Sequence, residues 1–583
     1  MLDASLLSHC LVQCGRGLFA VALFLVMYAL GARVLAAVTV NDASERLLLR
    51  TAAGFAILQF VVRWSGELPL LTRSGTLVIY AALALAAFAG RGRELMRELG
   101  AIRVTVEWRT IAILLLLVAP LTMALAPAVS KDATIYHLRF PELTLRGGWW
   151  GVDPANSASF YPSATSTLYV AALAVDRSGV AAQLVHFGFF ILCLIGAAAI
   201  ARRLGARTGL DAALLLAAVP AVGIVAGWSW SDLSLLFVLA AAMIAAFNAA
   251  PALALLFLGV AAAVKYNALL AAVPLCIAVL VTIVRLRAWK QLAAGTLLAV
   301  AAMSPWYVTN ALRTGNPIYP LASSAHRATE VIGAWSRGEG ASWWTVWSGY
   351  FLRPQTLDED VGGVLLLVLF AVALRSRRAA AVVVVATWAM FLPFTAAMRL
   401  LLPAVAATVV VAGAVLESLE RRTVAVALLI AFSVRGGAIA AAHNAHFMNP
   451  LPAAAGIEDE QAYVARNFAP APLFARAASL PADARVISIH EVRLFRFPRP
   501  VLAARVHDLP ILGRYTHRAR SVEEITARLR ADGVTHLLLA PRPVERGNVQ
   551  PLPPAEERLF TGVLRASRVI DREGNTLLIA LPR

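Results

Sequence analysis

A few short segments set reactive side chains directly beside long apolar runs. The richest is Ser130, Lys131, Asp132, Ala133, Thr134, Ile135, Tyr136, His137, Leu138, with Pro141 following. If this segment is helical, the spacing of four puts Asp132 and Tyr136 on one face, with His137 just beside it. A carboxylate at the boundary of a membrane faces lipid headgroups and also any acceptor arriving from water, a position suited to group transfer. The same aspartate could instead cap a helix. Asp232 opens a later apolar run, after Trp228, Ser229, Trp230 and Ser231. It could orient an acceptor, support Asp132 or serve as an N-cap.

Two cations stand out against their surroundings. Lys265 interrupts an otherwise unbroken apolar stretch, where an unpaired charge is expensive and demands a partner. A lipid phosphate would be one, with Tyr266 and Asn267 alongside to add hydrogen bonds. Arg399 sits at the end of another apolar run, and a guanidinium can grip a phosphate in two places at once. Two cations on one phosphate would stabilise the negative charge that develops on a leaving group. The alternative for both is snorkelling to the headgroups. Asp132, His137 and Asp232 are also of divalent-ion ligand type, but they form no tight cluster in the sequence, and cationic side chains can replace a metal. No obligatory metal or other cofactor is expected.

The elements that must position these residues are membrane helices. Of the 583 residues, 60% are hydrophobic and 15% charged, whereas soluble domains carry about 25% charged residues. Apolar runs of roughly 17 to 22 residues recur, each long enough to cross a hydrocarbon core of about 30 Å. Spans are expected near Gly17 to Val38, Leu47 to Arg63, Ser74 to Gly90, Arg109 to Pro127, Val180 to Ala201, Leu210 to Gly227 and Leu233 to Ala249. Further spans are expected near Pro251 to Val264, Ala268 to Val284, Leu292 to Val308, Gly362 to Leu374, Ala380 to Ala397, Leu400 to Leu416 and Val424 to Ala441. A shorter stretch, Ala164 to Val175, is expected to lie along the interface as an amphipathic helix.

The formal net charge of +18 does not point to nucleic acid, because the basic residues are not gathered on one soluble module. They cluster instead in alternate connections: Arg91, Arg93, Arg97 and Arg103; Arg202, Arg203 and Arg207; Arg285, Arg287 and Lys290; Arg375, Arg377 and Arg378; Arg421 and Arg422. The span order above puts all of these on one face, the cytoplasmic one by the positive-inside rule. Both termini, 128–162, 309–360 and everything after Ala442 then fall outside. Trp335, Trp343, Trp344 and Trp347 in the second loop suit either interfacial anchoring or sugar stacking. Cys10, Cys14, Cys193 and Cys276 read as unpaired thiols, and the first helix lacks the basic leader of a cleaved signal peptide. No internal repeat is evident.

Beyond Pro450 the pattern changes to an α/β module. Arg485 to Ile489 and Thr535 to Ala540 read as strands, and Ser521 to Ala531 as a helix capped by Ser521 with Glu524 three residues on. It holds no nucleotide-binding glycine loop and nothing that looks catalytic.

The segment KDATIYHLRFPELTLRGG resembles the first large extracytoplasmic loop of bacterial GT-C glycosyltransferases, in which an aspartate follows an outgoing helix and a Tyr-His pair comes shortly after. NSASFYPSATSTLYVAAL, WSWSDLSLLF, AVKYNALLA, TGNPIYPL and MRLLLPA follow in the order and on the side that such enzymes require. The resemblance covers roughly 109–416 and points to the ArnT/PMT-like and Rgt-like group of polyprenyl-phosphate-sugar-dependent enzymes. One departure is the lone aspartate at the first motif, where several branches have paired acids. The resemblance implies Asp132 as the general base that takes a proton from the acceptor hydroxyl. Tyr136, His137 and Asp232 would position acceptor or donor, and Lys265, Tyr266 and Arg399 would bind the lipid phosphate.

The expectation is thus a mainly α, polytopic protein of about fourteen transmembrane helices, embedded in the bacterial plasma membrane with termini and active site extracytoplasmic. Residues 1–108 would form N-terminal membrane helices, 109–441 the GT-C-like core, and 442–583 an extracytoplasmic α/β domain. The expected partners are a polyprenyl-phosphate sugar donor, a lipid-, glycan- or protein-bound acceptor, membrane lipids and no nucleic acid. A ligase of lipid-linked oligosaccharide and a polytopic transporter or flippase are the alternatives.

Overall fold

The computed structural model describes residues 4–90, 106–322, 360–376, 378–391, 398–420, 422–504, 511–541 and 552–582, with positions 92, 97, 98 and 100 besides. Trp335, Trp343, Trp344 and Trp347 lie outside the described residues, as do Arg91, Arg93, Arg103, Arg377 and Arg421. Each expected span coincides with helix where its residues are described; the end of the span expected at Ala380 to Ala397 lies outside the described residues. Among the described residues, seven helices are long and apolar enough to cross a membrane, and seven shorter apolar helices accompany them. Leu114, Leu115, Leu297 and Val300 point outward from the bundle, as side chains do when lipid is their solvent.

Two expectations change. The stretch expected as one span at Leu210 to Gly227 is two helices, Leu210–Ala217 and Pro220–Ala226. Pro220 cannot donate to the preceding turn, so the first helix stops and a second starts on the proline. Ala164–Val175 is not an amphipathic interfacial helix. It is buried on every side from Ala164 to Ala174, because its residues are small or apolar all round and it has no polar face to offer water.

Charge pairs close the bundle at one end. Arg203 grips Glu45 through two bonds of 2.6 Å, Arg202 reaches Asp42 at 3.1 Å, and Glu417 accepts from the backbone N–H groups of Thr208 and Gly209. Close approach of backbones does the same work along the bundle. A Cβ on Gly54 would collide with the Met27 carbonyl, and one on Gly31 with that of Arg50, so helices Ala4–Val34 and Ala43–Ser65 touch main chain to main chain.

The C-terminal domain carries a five-stranded sheet in the order β2-β1-β3-β5-β4. Its strands are β1 Val486–Ile489, β2 Val501–Leu502, β3 His536–Leu539, β4 Arg568–Glu573 and β5 Thr576–Ala580. β2, β1 and β3 run parallel, while β5 is antiparallel to β3 and β4. The helix Val522–Ala531 is capped by Ser521, whose hydroxyl accepts from the Glu524 N–H at 3.2 Å. The N-terminal turns of the chain meet this domain: Arg16 pairs with Glu460 at 2.7 Å and His9 contacts the Ala454 carbonyl at 3.0 Å. The N-terminal helix and the start of the C-terminal domain therefore share one end of the bundle.

Candidate active site

Asp132 follows the helix Trp108–Ala124 after a short buried connection. It stands at the head of Ala133–His137, a turn wider than an α-helix, closed by the Leu138 N–H on the Ala133 carbonyl at 2.9 Å. Such single wide turns interrupt helices where side chains must be re-aimed. The tie between Asp132 and Tyr136 survives the wider winding, since the Tyr136 hydroxyl donates to Asp132 Oδ2 at 2.8 Å. The same oxygen meets Arg399 Nη1 at 2.5 Å. Asp132 makes no capping bond; its carboxylate turns to a cation instead.

Arg399 comes from the short turn Met398–Leu401 and lies over the Trp230 ring, 4.6 Å from its centroid. Planar cation on indole face is a favourable stack, and it holds the guanidinium between the two motifs. Asp232 is the first residue of the helix Asp232–Phe247, with Ser231 in the cap position. Its Oδ1 accepts from Lys265 Nζ at 2.7 Å. Lys265 occupies the break between Pro251–Val264 and Ala268–Leu286, and the partner that its position demanded is Asp232. Snorkelling describes neither cation, since each is held by a carboxylate.

The result is an alternation of charges, Asp132 with Arg399 and Asp232 with Lys265, drawn from widely separated parts of the chain. His137 is buried within reach of their fields. Burial pushes its imidazole down to about 3, against the pull of Asp132, because a desolvated imidazolium is costly. It is neutral at ordinary pH.

Around the pairs runs a series of aromatic rings. Tyr136 packs at 6.5 Å from Tyr161, and Tyr161 at 6.0 Å from Tyr266. The Tyr266 hydroxyl donates to the Tyr319 carbonyl at 2.7 Å and receives Asn310 Nδ2 at 3.3 Å. The sequence reading missed His186, Tyr161, Asn310 and the stacking role of Trp230. His186 accepts from the Leu233 N–H at 3.2 Å and contacts the Val225 carbonyl at 3.1 Å, so it fixes where the Asp232 helix begins. A lone histidine within an apolar run was the available signal. Tyr161 was visible only as part of its motif.

Several buried polar atoms on these segments have no hydrogen-bond partner among the described residues: Ser130 Oγ, His137 Nδ1, Trp228 Nε1, Ser229 Oγ, Trp230 Nε1 and Asp232 Oδ2. A buried polar atom left unbonded costs about 1–3 kcal/mol. Among the described residues no three His, Cys, Asp or Glu side chains converge as a metal site.

No family model matches the sequence, and no curated protein matches it. Among solved structures, ArnT from Cupriavidus metallidurans bound to undecaprenyl phosphate is similar with a TM-score of 0.53 and 16% identity, over 81% of this chain and 98% of that one. ArnT from the same organism in the apo state gives 0.54 and 15%, over 81% and 97%. The arabinofuranosyltransferase AftD from Mycobacteria gives 0.49 and 14%, over 83% and 40%. The fold therefore defines the class, a polytopic integral membrane protein built as a helical bundle with a small C-terminal sheet. Within that class the chain shares the architecture of ArnT over most of its length.

Proposed function

We propose that the chain is a membrane glycosyltransferase that moves one sugar from a polyprenyl-phosphate carrier to a lipid-, glycan- or protein-bound acceptor on the extracytoplasmic side. The observation that carries this reading is the pairing of Asp132 with Arg399 and of Asp232 with Lys265 in one charged cluster. ArnT, the similar solved protein, is bound to undecaprenyl phosphate in one of its structures, which supports a lipid phosphate as the occupant.

In this reading the bond between the anomeric carbon and the phosphate oxygen breaks as the acceptor oxygen attacks. Asp132 takes the proton from that oxygen, a role that requires an ionised carboxylate about 3 Å away. Arg399 pairs with Asp132 at 2.5 Å, and the Tyr136 hydroxyl holds its orientation. When the donor binds, Arg399 and Lys265 turn their remaining N–H groups to the phosphate and stabilise the charge left on the departing carrier. Tyr266 contributes its ring and phenol to the wall beside that phosphate. His137, neutral, and Asp232 position sugar hydroxyls, and the unbonded Trp230 and Ser229 groups add donors.

A divalent ion would have to displace Arg399 from Asp132 or Lys265 from Asp232, and among the described residues no three His, Cys, Asp or Glu side chains converge to hold one. The donor set thus suits cationic side chains in the charge-stabilising role, and we assign no obligatory metal.

The test is to incubate the purified chain with a panel of polyprenyl-phosphate sugars and candidate acceptors. One donor should be consumed, with polyprenyl phosphate released, and it should raise the melting temperature of the protein. Neither consumption nor stabilisation by any member would overturn the reading. Consumption only of pyrophosphate-linked oligosaccharides would reassign the protein as a ligase.

A further inference from the structure

One loop of the C-terminal domain reaches the turn that carries Asp132. Residues 494–501 touch that segment before, within and after the turn. Before it, Arg496 Nη2 donates to the Ser178 carbonyl at 2.9 Å and the Ala128 carbonyl at 3.4 Å. Ala128 and Ser178 are themselves joined by a backbone bond of 3.1 Å, so one guanidinium clamps both ends of the loop. Within the turn, the Phe495 N–H donates to the Thr134 carbonyl at 3.1 Å. After it, Arg139 is 2% exposed and donates to the Leu494 carbonyl at 3.3 Å and the Val501 carbonyl at 3.2 Å.

The packing repeats this pattern. Leu494 and Phe497 lie in the apolar core of the C-terminal domain, whereas Phe495 between them is buried in the core of the membrane bundle. The loop is stiffened from its own side. Glu491 pairs with Arg493 at 2.9 Å, and Arg493 lies over the Phe468 ring at 4.5 Å. Guanidinium groups buried on carbonyl oxygens, with no carboxylate in ion-pair contact among the described residues, specify backbone geometry rather than charge balance.

We infer that Phe495 and Arg496 of the C-terminal domain are positioning residues for Asp132: the domain holds the wide turn in the shape that aims the carboxylate. The role given to Asp132 rests on the function proposed above, while the bracing of the turn does not. A misplacement of about 1 Å at a reacting group costs on the order of 100-fold in rate, so loosening the brace should reduce turnover more than binding.

The experiment compares full-length Arg496→Ala, Arg496→Lys and Phe495→Ala with wild type, and with Arg476→Ala, an exposed change elsewhere on the same domain. Amide hydrogen exchange at residues 133–138 and the kcat and KM for the polyprenyl-phosphate sugar identified above are measured on each. For Arg496→Ala we expect exchange at the turn to rise at least tenfold and kcat to fall about 10- to 100-fold. KM should stay within about twofold, Arg496→Lys should recover part of both losses, and Arg476→Ala should match wild type. Unchanged exchange at the turn in Arg496→Ala and Phe495→Ala would overturn the brace. Raised exchange with unchanged kcat would overturn the positioning role. If wild type consumes no donor, the enzyme reading falls, and the exchange measurement still decides whether the domain holds the turn.

Discussion

At the scale of single residues, the candidate site is built from charges that neutralise one another. Asp132→Asn keeps the shape of the side chain and can still accept from Tyr136, but it cannot take a proton. Transfer should fall by roughly 10²- to 10⁴-fold with donor-induced stabilisation retained, as donor consumption and thermal melts would report; undiminished turnover would remove the base assignment. Lys265→Ala leaves Asp232, 3% exposed, without its cation. Stranding one partner of a buried pair costs about 3–5 kcal/mol, less here because Lys265 is partly exposed. The double change Lys265→Met with Asp232→Leu should recover most of the loss in melting temperature, and a double variant no better than the single one would show that the pair does not hold the fold. His137 adds a pH term. Its folded value near 3 lies below the ordinary 6.5, so the unfolded chain binds its proton first as pH falls. Its contribution is therefore present above about 6.5 and is lost progressively toward pH 3. His137→Gln should flatten that part of the acid-side decline in melting temperature. An unchanged slope would mean that the histidine is not held neutral.

At the scale of elements, interruptions of helices do the positioning. Lys265 sits in the break between two helices, Asp232 at the first turn of one, Arg399 in a short turn before another, and Asp132 ahead of a widened turn. Helix ends suit this work because their backbone groups are not fully committed and their side chains can converge from different directions. The rigid frame is the close contact of helices such as Ala4–Val34 and Ala43–Ser65. Gly54→Val would push against the Met27 carbonyl and should cost about 1–3 kcal/mol as overpacking. A lower melting temperature in detergent is the expected readout, and wild-type stability would show that the helices can separate without penalty. Most of these elements were legible from apolar run length. The buried helix Ala164–Val175 was not, since a short apolar stretch reads the same whether its neighbours are lipid or protein.

At the scale of the molecule, the N-terminal helix meets the start of the C-terminal domain, and the cluster lies at the same end of the bundle as that domain. Arg202 and Arg203, in one of the basic connections, pair with Asp42 and Glu45, and the positive-inside rule predicts that the face carrying these connections is cytoplasmic. In a chain whose native cysteines are replaced, Ile457→Cys, at an 82% exposed position, should react with a membrane-impermeant maleimide in intact cells. Arg287→Cys should react only after permeabilisation. The reverse pattern would put the site on the cytoplasmic side and exclude a donor carried in the outer leaflet.

Apolar run length, the alternation of basic connections and the order of short motifs determined a many-helix membrane protein with a distinct α/β end, and they singled out Asp132, Asp232, Lys265 and Arg399. These features are local, because one span or one motif can be read without knowing its neighbours. Only the tertiary structure decided which acid pairs with which cation, that Trp230 carries Arg399, and that the C-terminal domain grips the turn beside Asp132. Those are contacts between residues 33 to 368 positions apart, set by how helices pack, and packing leaves no periodic trace in the chain.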